Sequence, residues 1–462
     1  MTLLSKVKIG LEIHMQLNTK SKLFCACKTK SKSPNTATCE VCLGMPGSKP
    51  VLNKKALDFA VMLSLALNCN VSKESRFDRK TYFYPDLPKN YQITQYHSPI
   101  SENGKVLVQD KIIRIRRVQL EEDPGSITYP HHIDISKYSL IDYNRSGMPL
   151  CEIVTDPDFS SSKEIKLFLK QIISIAKHLK IYTSDKSFRV DTNVSIGRNS
   201  RVEIKNVGSI KDVVSAIESE VFRQRQEIEN GQKIKQETRR FSGSSTVRMR
   251  EKETEEDYGY IVDPDLPTLF INATQLRKIQ KSMPELPDQR MQRMMKQYKL
   301  NKSQALAIVS EKELADFYER VAKDTDPQIA ASWISTQLLK VLNYNNLNFS
   351  ETHLEAQHFA PFLNLITAGK IGDRAADLLL RALVLKPQNP SKLAAKLKLL
   401  TLTDSELVTL IKSVLNKYKK QTNQYKLGDS KILAFLMGRV INASKGRADA
   451  KKVRQEIVKY LA

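Results

Sequence analysis

The chain is 462 residues long, with 74 Lys and Arg against 50 Asp and Glu, a formal charge of +24, and 41% hydrophobic residues. That length holds two or three domains, and the composition is that of a soluble globular protein, with no apolar run long enough to cross a bilayer. The basic balance favours a polyanionic partner such as nucleic acid, although Lys-rich genomes produce the same excess without one.

The first six residues, MTLLSK, lack the features of a signal peptide. A cytoplasmic protein is expected, or one of an organellar matrix if a presequence was removed. Residues 7–17, VKIGLEIHMQL, alternate with period two and read as a strand with Glu12, His14 and Gln16 on one face. An acid and an imidazole projecting together can bind a metal; a solvent-facing polar edge is the plainer reading of this strand alone. Six cysteines occur, four of them as Cys25-x-Cys27, eleven residues, then Cys39-x-x-Cys42. Clustered in this way in an intracellular chain they point to metal rather than disulfides, and four thiolates suit a tetrahedral structural zinc. Four unligated thiols are the alternative.

Residues 56–68 read as an apolar helix. Residues 76–92, RFDRKTYFYPDLPKNYQ, mix aromatics, charges and turn formers, which suits a binding surface or cavity lining and equally a packed loop. An alternating run over 113–118 leads into Glu121, Glu122 and Asp123, and the apolar run 148–154, MPLCEIV, carries Glu152. A lone Glu in such a run is costly to bury without a compensating cation. Several carboxylates aimed at one place from strand ends is how proteins hold a hard cation such as Mg2+. Residues 188–196, FRVDTNVSI, put Arg189, Asp191, Asn193 and Ser195 on one face, and 201–206, RVEIKN, repeat the pattern with Glu203 and Lys205. Two such strands fit one wall of a nucleotide–metal cleft, or a solvated sheet face.

Residues 209–231 read as an amphipathic helix closed by Gly231. Neither GxxxxGK[ST] nor GxGxxG occurs, so any bound ATP is not held by a Walker loop. From about residue 283 helical periodicity takes over, in segments such as 303–323, 327–343 and 353–368. Residues 391–462 hold 16 Lys and Arg against 5 Asp and Glu, clustered at 417–420, 445–447 and 451–454. Such clusters are solvated helix faces or contacts to RNA phosphates.

The stretch 119–158, QLEEDPGSITYPHHIDISKYSLIDYNRSGMPLCEIVTDPD, resembles the signature LEEDxG…SLxDYNRxGxPLxEIVxxPD of the GatB/GatE family, the B subunits of the glutamyl-tRNA(Gln)/aspartyl-tRNA(Asn) amidotransferase. The segments GLEIH, the Cys pairs with PNT and LGMPG, FDRKTYFYPDLPK, RVDTNVS and VEIKN, and the tail at 435–448 resemble it as well, so the likeness spans essentially the whole chain. It implies an α+β fold: a cradle with a largely antiparallel sheet and flanking helices over 1–290, an all-helical domain over 291–390, and a small helical tail over 391–462 that contacts tRNA. It implies a ligase that uses ATP to activate Glu-tRNA(Gln), Asp-tRNA(Asn) or both as an acyl phosphate, which ammonia then converts to the amide.

Carried over position by position, the likeness makes His14, Glu121 and Glu152 ligands of Mg2+. It makes Glu12, Glu121, Asp191, Glu203 and Lys205 catalytic, with Asp123 nearby. Cys25, Cys27, Cys39 and Cys42 become a structural Zn2+ site, Asp78, Lys80 and Lys89 border the ammonia path, and Lys445, Arg447, Lys451 and Lys452 lie on the tRNA-binding tail. The implied partners are an amidase (glutaminase) subunit, a small third subunit and mischarged tRNA, with no membrane. No papain-like Cys signature occurs, so the chain alone is not expected to hydrolyse glutamine. Pro124, Asn90, Gly208 and Gly259 depart from the family's commoner residues. Two other readings are a catalytically silent tRNA-binding or assembly subunit, against which the intact acids at 12, 121, 152 and 191 stand, and an archaeal-type paralogue whose usual large insertion is not seen.

Overall fold

In the computed structural model the chain divides into two units, Met1–Leu286 and Pro287–Ala462. The structure describes residues 6–131, 135–182, 188–251, 259–444 and 447–461.

The first unit is built on strands β1 (Val7–Gln16), β2 (Asn70–Val71), β3 (Glu74–Ser75), β4 (Asp78–Thr81), β5 (Tyr91–Thr94), β6 (Ser101–Val108), β7 (Lys111–Glu122) and β8 (Ser126–Thr128). They are followed by β9 (Leu140–Asp142), β10 (Pro149–Thr155), β11 (Phe188–Ile196), β12 (Val202–Val207), β13 (Glu237–Phe241), β14 (Thr246–Glu251), β15 (Gly259–Val262) and β16 (Leu269–Phe270). Nine of them form one sheet in the order β14-β13-β12-β11-β1-β10-β7-β6-β2. Every pairing in it is antiparallel except β12 with β13. The expected antiparallel α+β architecture is therefore found.

Period-two alternation gives this sheet two unlike faces. Ile9, Leu11, Ile13 and Met15 of β1, Cys151 and Ile153 of β10, and Val190 and Val194 of β11 are buried in the core. Helices α1 (Lys54–Ala66), α2 (Ser162–His178) and α3 (Ile210–Glu229) contribute to the same core, and each is started by a side-chain cap, Asn53, Ser161 and Ser209 respectively. The opposite face carries Glu12, His14, Glu152 and Asp191. The three-stranded sheet β15-β4-β5 belongs to this unit as well.

The second unit is helical. One core gathers residues from Met294 to Ala394 and a separate smaller one gathers Leu407, Ile411, Leu436, Val440, Val453 and Ile457. Two expected helices are subdivided. The segment 303–323 is two helices, Lys302–Val309 and Lys312–Asp324, broken at Ser310 and Glu311. The segment 327–343 is a helix over Pro327–Ser332, a π-helical turn over Trp333–Leu338 and a helix over Leu339–Tyr344. Among the described residues no helix is long and apolar enough to cross a membrane.

Candidate active site and metal centres

Strand register assembles the polar face. Glu152 lies opposite His14 on β1 and opposite Gln119 on β7, while Glu121 lies opposite Leu150 two residues along. Residues paired across strands share a face, so Gln119, Glu152, His14 and Arg189 form one row, and Arg117, Val154, Glu12 and Asp191 the next. His14 Nε2 comes within 3.3 Å of Glu121 Oε1 and 4.0 Å of Glu152 Oε1. One ligand atom from each of these three residues lies within 4.8 Å of the others. Gln119 holds Glu152 from the side, its Nε2 donating to Oε2 at 2.6 Å, and Thr94 donates to Glu121 at 3.3 Å.

Burial opposes the charge of His14, yet Glu121, Glu152 and Asp191 outweigh it and hold the imidazole up at about 10. Burial and then the neighbouring Glu121 push Glu152 up to about 7. Burial also works against Glu121, which the His14 hydrogen bond nevertheless keeps below its usual range. Two buried carboxylates thus crowd one imidazole, with Lys80 acting further on Glu121 and Arg117 on Glu152. Two carboxylates and an imidazole with a common centre fit a divalent cation by count and ligand type.

A second group stands beside it. Lys205 Nζ lies 4.0 Å from Asp191 Oδ2 and 3.8 Å from Glu203 Oε2, and Thr238 donates to Glu203 at 3.0 Å. Glu12, opposite Asp191 in the register, accepts from Asn193 Nδ2 at 3.1 Å. The sequence-expected residues Glu12, His14, Glu121, Glu152, Asp191, Glu203 and Lys205 therefore share one sheet face. Asp123 is committed elsewhere, to Arg145 Nη2 at 2.6 Å.

Of the residues expected along an ammonia path, Lys89 pairs with Glu122 and Lys80 acts on the charge of Glu121. Asp78 is fully buried and clamps a turn, accepting from the backbone N–H groups of Tyr96 and His97 at 2.8 and 3.0 Å. Asn90, where the family favours Gly, adopts φ +60°. Asn tolerates this left-handed conformation better than other side chains do, which explains how the turn accepts the departure. At Gly208 an added Cβ would meet open space.

The four thiols of Cys25, Cys27, Cys39 and Cys42 converge within 4.8 Å, which fits a tetrahedral zinc. The hydrogen bond with Cys25, then the Cys39 backbone N–H and Lys22, pull the Cys42 thiol down to about 4 against burial, while Cys25 is pushed up by the same Cys25–Cys42 bond. Sequence reading missed Lys22, which is fully buried with Nζ 3.5 Å from Cys42 Sγ. It also missed the lock between loops, in which Asn35 N donates to Asp142, Tyr143 N donates to Asn35, and Ala37 N donates to Asn144. Only the juxtaposition of PNT and DYN, distant in sequence, discloses it.

In the tail, Arg447 donates to the Leu400 carbonyl at 2.8 Å, and the exposed Lys452 pairs with Asp404 at 3.1 Å. Lys451 is exposed beside it. Lys445 lies outside the described residues.

Residues 7–277 match the model of the GatB/GatE catalytic domain, and residues 316–461 match that of the GatB domain. The chain is similar to proteins of several organisms that are named as the B subunit of aspartyl/glutamyl-tRNA(Asn/Gln) amidotransferase. It is 42% identical to that of Saccharolobus solfataricus, over 98% of this chain and 99% of the relative. Identity is 42% with that of Methanospirillum hungatei, over 96% and 95%, and 40% with that of Thermotoga maritima, over 98% of each chain.

Proposed function

The chain belongs to the GatB/GatE family, and from that premise we propose the chemistry of its cleft. Its role is that of the GatB subunit of a tRNA-dependent amidotransferase, a glutamine-dependent ligase that forms carbon–nitrogen bonds. Within that role the chain activates the side-chain carboxylate of Glu-tRNA(Gln), Asp-tRNA(Asn) or both with ATP, and ammonia then displaces the phosphate. It does so in the cytoplasm with an amidase subunit and a small third subunit.

The observation that carries this reading is the convergence of His14, Glu121 and Glu152 on one point of an otherwise orderly sheet face. A carboxylate is a poor electrophile with a poor leaving group. A divalent cation held by these three residues supplies positive charge where phosphoryl transfer gathers negative charge. Gln119 fixes the rotamer of Glu152. Asp191 and Glu203, with Lys205 between them, receive the proton that ammonium must lose before its nitrogen can attack. Ammonia arrives along the side bordered by Asp78, Lys80 and Lys89, and Zn2+ on the four cysteines holds the 25–42 loop in place. Arg447, Lys451 and Lys452, with Lys445, engage the tRNA backbone.

The test uses the chain copurified with its amidase and small subunits, given Glu-tRNA(Gln), Mg2+, ATP and ammonium. Glu121→Ala is expected to abolish Gln-tRNA formation while retaining tRNA binding. A wild type that binds tRNA but neither consumes ATP nor forms amide overturns the reading.

A further inference from the structure

Among the described residues, two arginines on the polar face have no carboxylate of their own. Arg117 is the inward half of an Arg116-Arg117 pair split by a β-bulge, since Val154 pairs with Arg117 and the next residue, Thr155, pairs with Ile115. Bulges re-aim side chains beside active sites, and here the two arginines part company. Arg116 turns to Asp156, donating at 2.9 and 3.0 Å. Arg117 is half-buried, its guanidinium 5.3 Å from the centroid of Tyr96, and Tyr96 is stacked in turn on Tyr260 at 4.2 Å. Among the described residues Arg117 makes no hydrogen bond or ion pair, and its Nε is buried without a partner.

Arg189 lies opposite His14 on the other side of the cation cluster. It too is half-buried and has no hydrogen bond or ion pair among the described residues, its neighbour Asp123 being bound to Arg145. Beside Arg117 on β7, at the far end of the row that holds Arg189, Gln119 is 4% exposed with Oε1 buried and unpartnered. Buried polar atoms are almost always satisfied; of the Arg117 guanidinium only Nε is sequestered, so its terminal nitrogens, unpartnered among the described residues, are left for an acceptor that arrives from outside.

We propose that Arg117 and Arg189 bind the phosphate groups of a nucleoside triphosphate, one from each side of the cation held by His14, Glu121 and Glu152. The inference rests on the function proposed above and assigns that site its anion-binding residues. Guanidinium is the group best shaped for bidentate phosphate contact. The arginines sit on β7 and β11, three strand spacings or roughly 14 Å apart at the backbone, with the carboxylates between them. A ligand that reaches both from across the acidic centre must be anionic at more than one group and must bring a cation with it. A polyphosphate–metal complex meets both demands, whereas a single side-chain carboxylate meets neither. The chain has no Walker loop, so phosphate recognition falls to side chains such as these.

The experiment measures binding of the Mg2+ complex of the non-hydrolysable imido analogue of ATP to the full chain copurified with its partner subunits. Wild type, Arg117→Gln, Arg117→Lys and Arg189→Gln are compared, with Mn2+ affinity alone and tRNA affinity measured in parallel. Loss of one charge-assisted contact is expected to weaken nucleotide affinity roughly 10- to 100-fold, while Mn2+ and tRNA affinities stay within about twofold. Arg117→Lys is expected to recover part of the loss, because it keeps the charge but not the fork or the stack. Unchanged nucleotide affinity in both Gln variants overturns the proposal, and so does a loss that falls on tRNA binding instead, which would identify a tRNA phosphate as the ligand. If Arg117→Gln does not fold, Arg117→Lys and Arg189→Gln decide by the same criterion. A wild type that binds no nucleotide defeats the proposed function itself, a result distinct from variants that bind as wild type does.

Discussion

Lys22 has its ammonium 3.5 Å from Cys42 Sγ and 3.3 Å from the Tyr143 carbonyl, with no solvent exposure at all. Zn2+ on four thiolates would carry net negative charge, and a buried cation beside it would offset that charge where water cannot. Lys22→Met is therefore expected to destabilise the first unit by about 3 kcal/mol, the cost of breaking a buried charge pair. It is also expected to speed zinc loss to a chelator. Metal content after dialysis and thermal melting measure both, and a variant that keeps its zinc and melts as wild type does would remove the role. The four thiols that fit a metal are legible at this scale because two close Cys pairs state their chemistry by spacing. Lys22 is not, since one Lys among many gives no local sign of being buried.

Helix α2 shows how the core holds the cleft in place. Phe168 is completely buried and meets Phe159 edge-to-face, with ring centroids 5.1 Å apart. Phe159 is tied to β1 by reciprocal backbone bonds with Ile9. Phe168→Ala is expected to cost ~3–5 kcal/mol through lost burial and a residual cavity, read as a lower midpoint in urea. In the helical unit, burial works against the Asp316 carboxylate, but Lys312 and Arg290 outweigh it and hold the carboxyl below its usual range. Because the folded pKa lies below the unfolded value of about 3.9, the stabilisation is full above that pH. It is lost as pH falls through the folded pKa. Asp316→Asn is expected to lower stability at pH 7 and to narrow the gap from wild type as pH falls below about 4. Equilibrium unfolding at the two pH values checks this, and a gap independent of pH would show the pairs to be without consequence.

The whole chain is strongly basic, and its small C-terminal core presents Lys451 and Lys452 at the surface. If these two contact tRNA phosphates, reversing both to Glu weakens tRNA binding. It also flattens the dependence of log K on log salt by roughly 0.7–0.9 per contact removed. Filter binding across a salt series measures the slope, and an unchanged slope would place tRNA elsewhere. At this scale the passage from strands to helices near residue 283 was legible from the change of period from two to 3.6, whereas the largely antiparallel α+β architecture was implied by the family resemblance. Helix breaks were not. Ser310 and Glu311 interrupt a helix without Gly or Pro to mark the place, and Glu311 there accepts from the Phe349 N–H at 3.3 Å, a tertiary contact that propensity does not record.

What the sequence by itself determined is parity and chemistry. Side-chain alternation is a property of the local backbone, so Glu12 with His14, and Asp191 with Asn193, could be put on shared faces from the residues alone. Only the tertiary structure decided which strands are neighbours. The order β7-β10-β1-β11 brings Glu121 and Glu152 to His14 from distant parts of the chain. The bulge at Arg116-Arg117 turns one arginine of an identical pair outward and the other beside the cluster. Pairing and register depend on how the apolar face packs against α1, α2 and α3, a sum over the whole core that no local pattern carries.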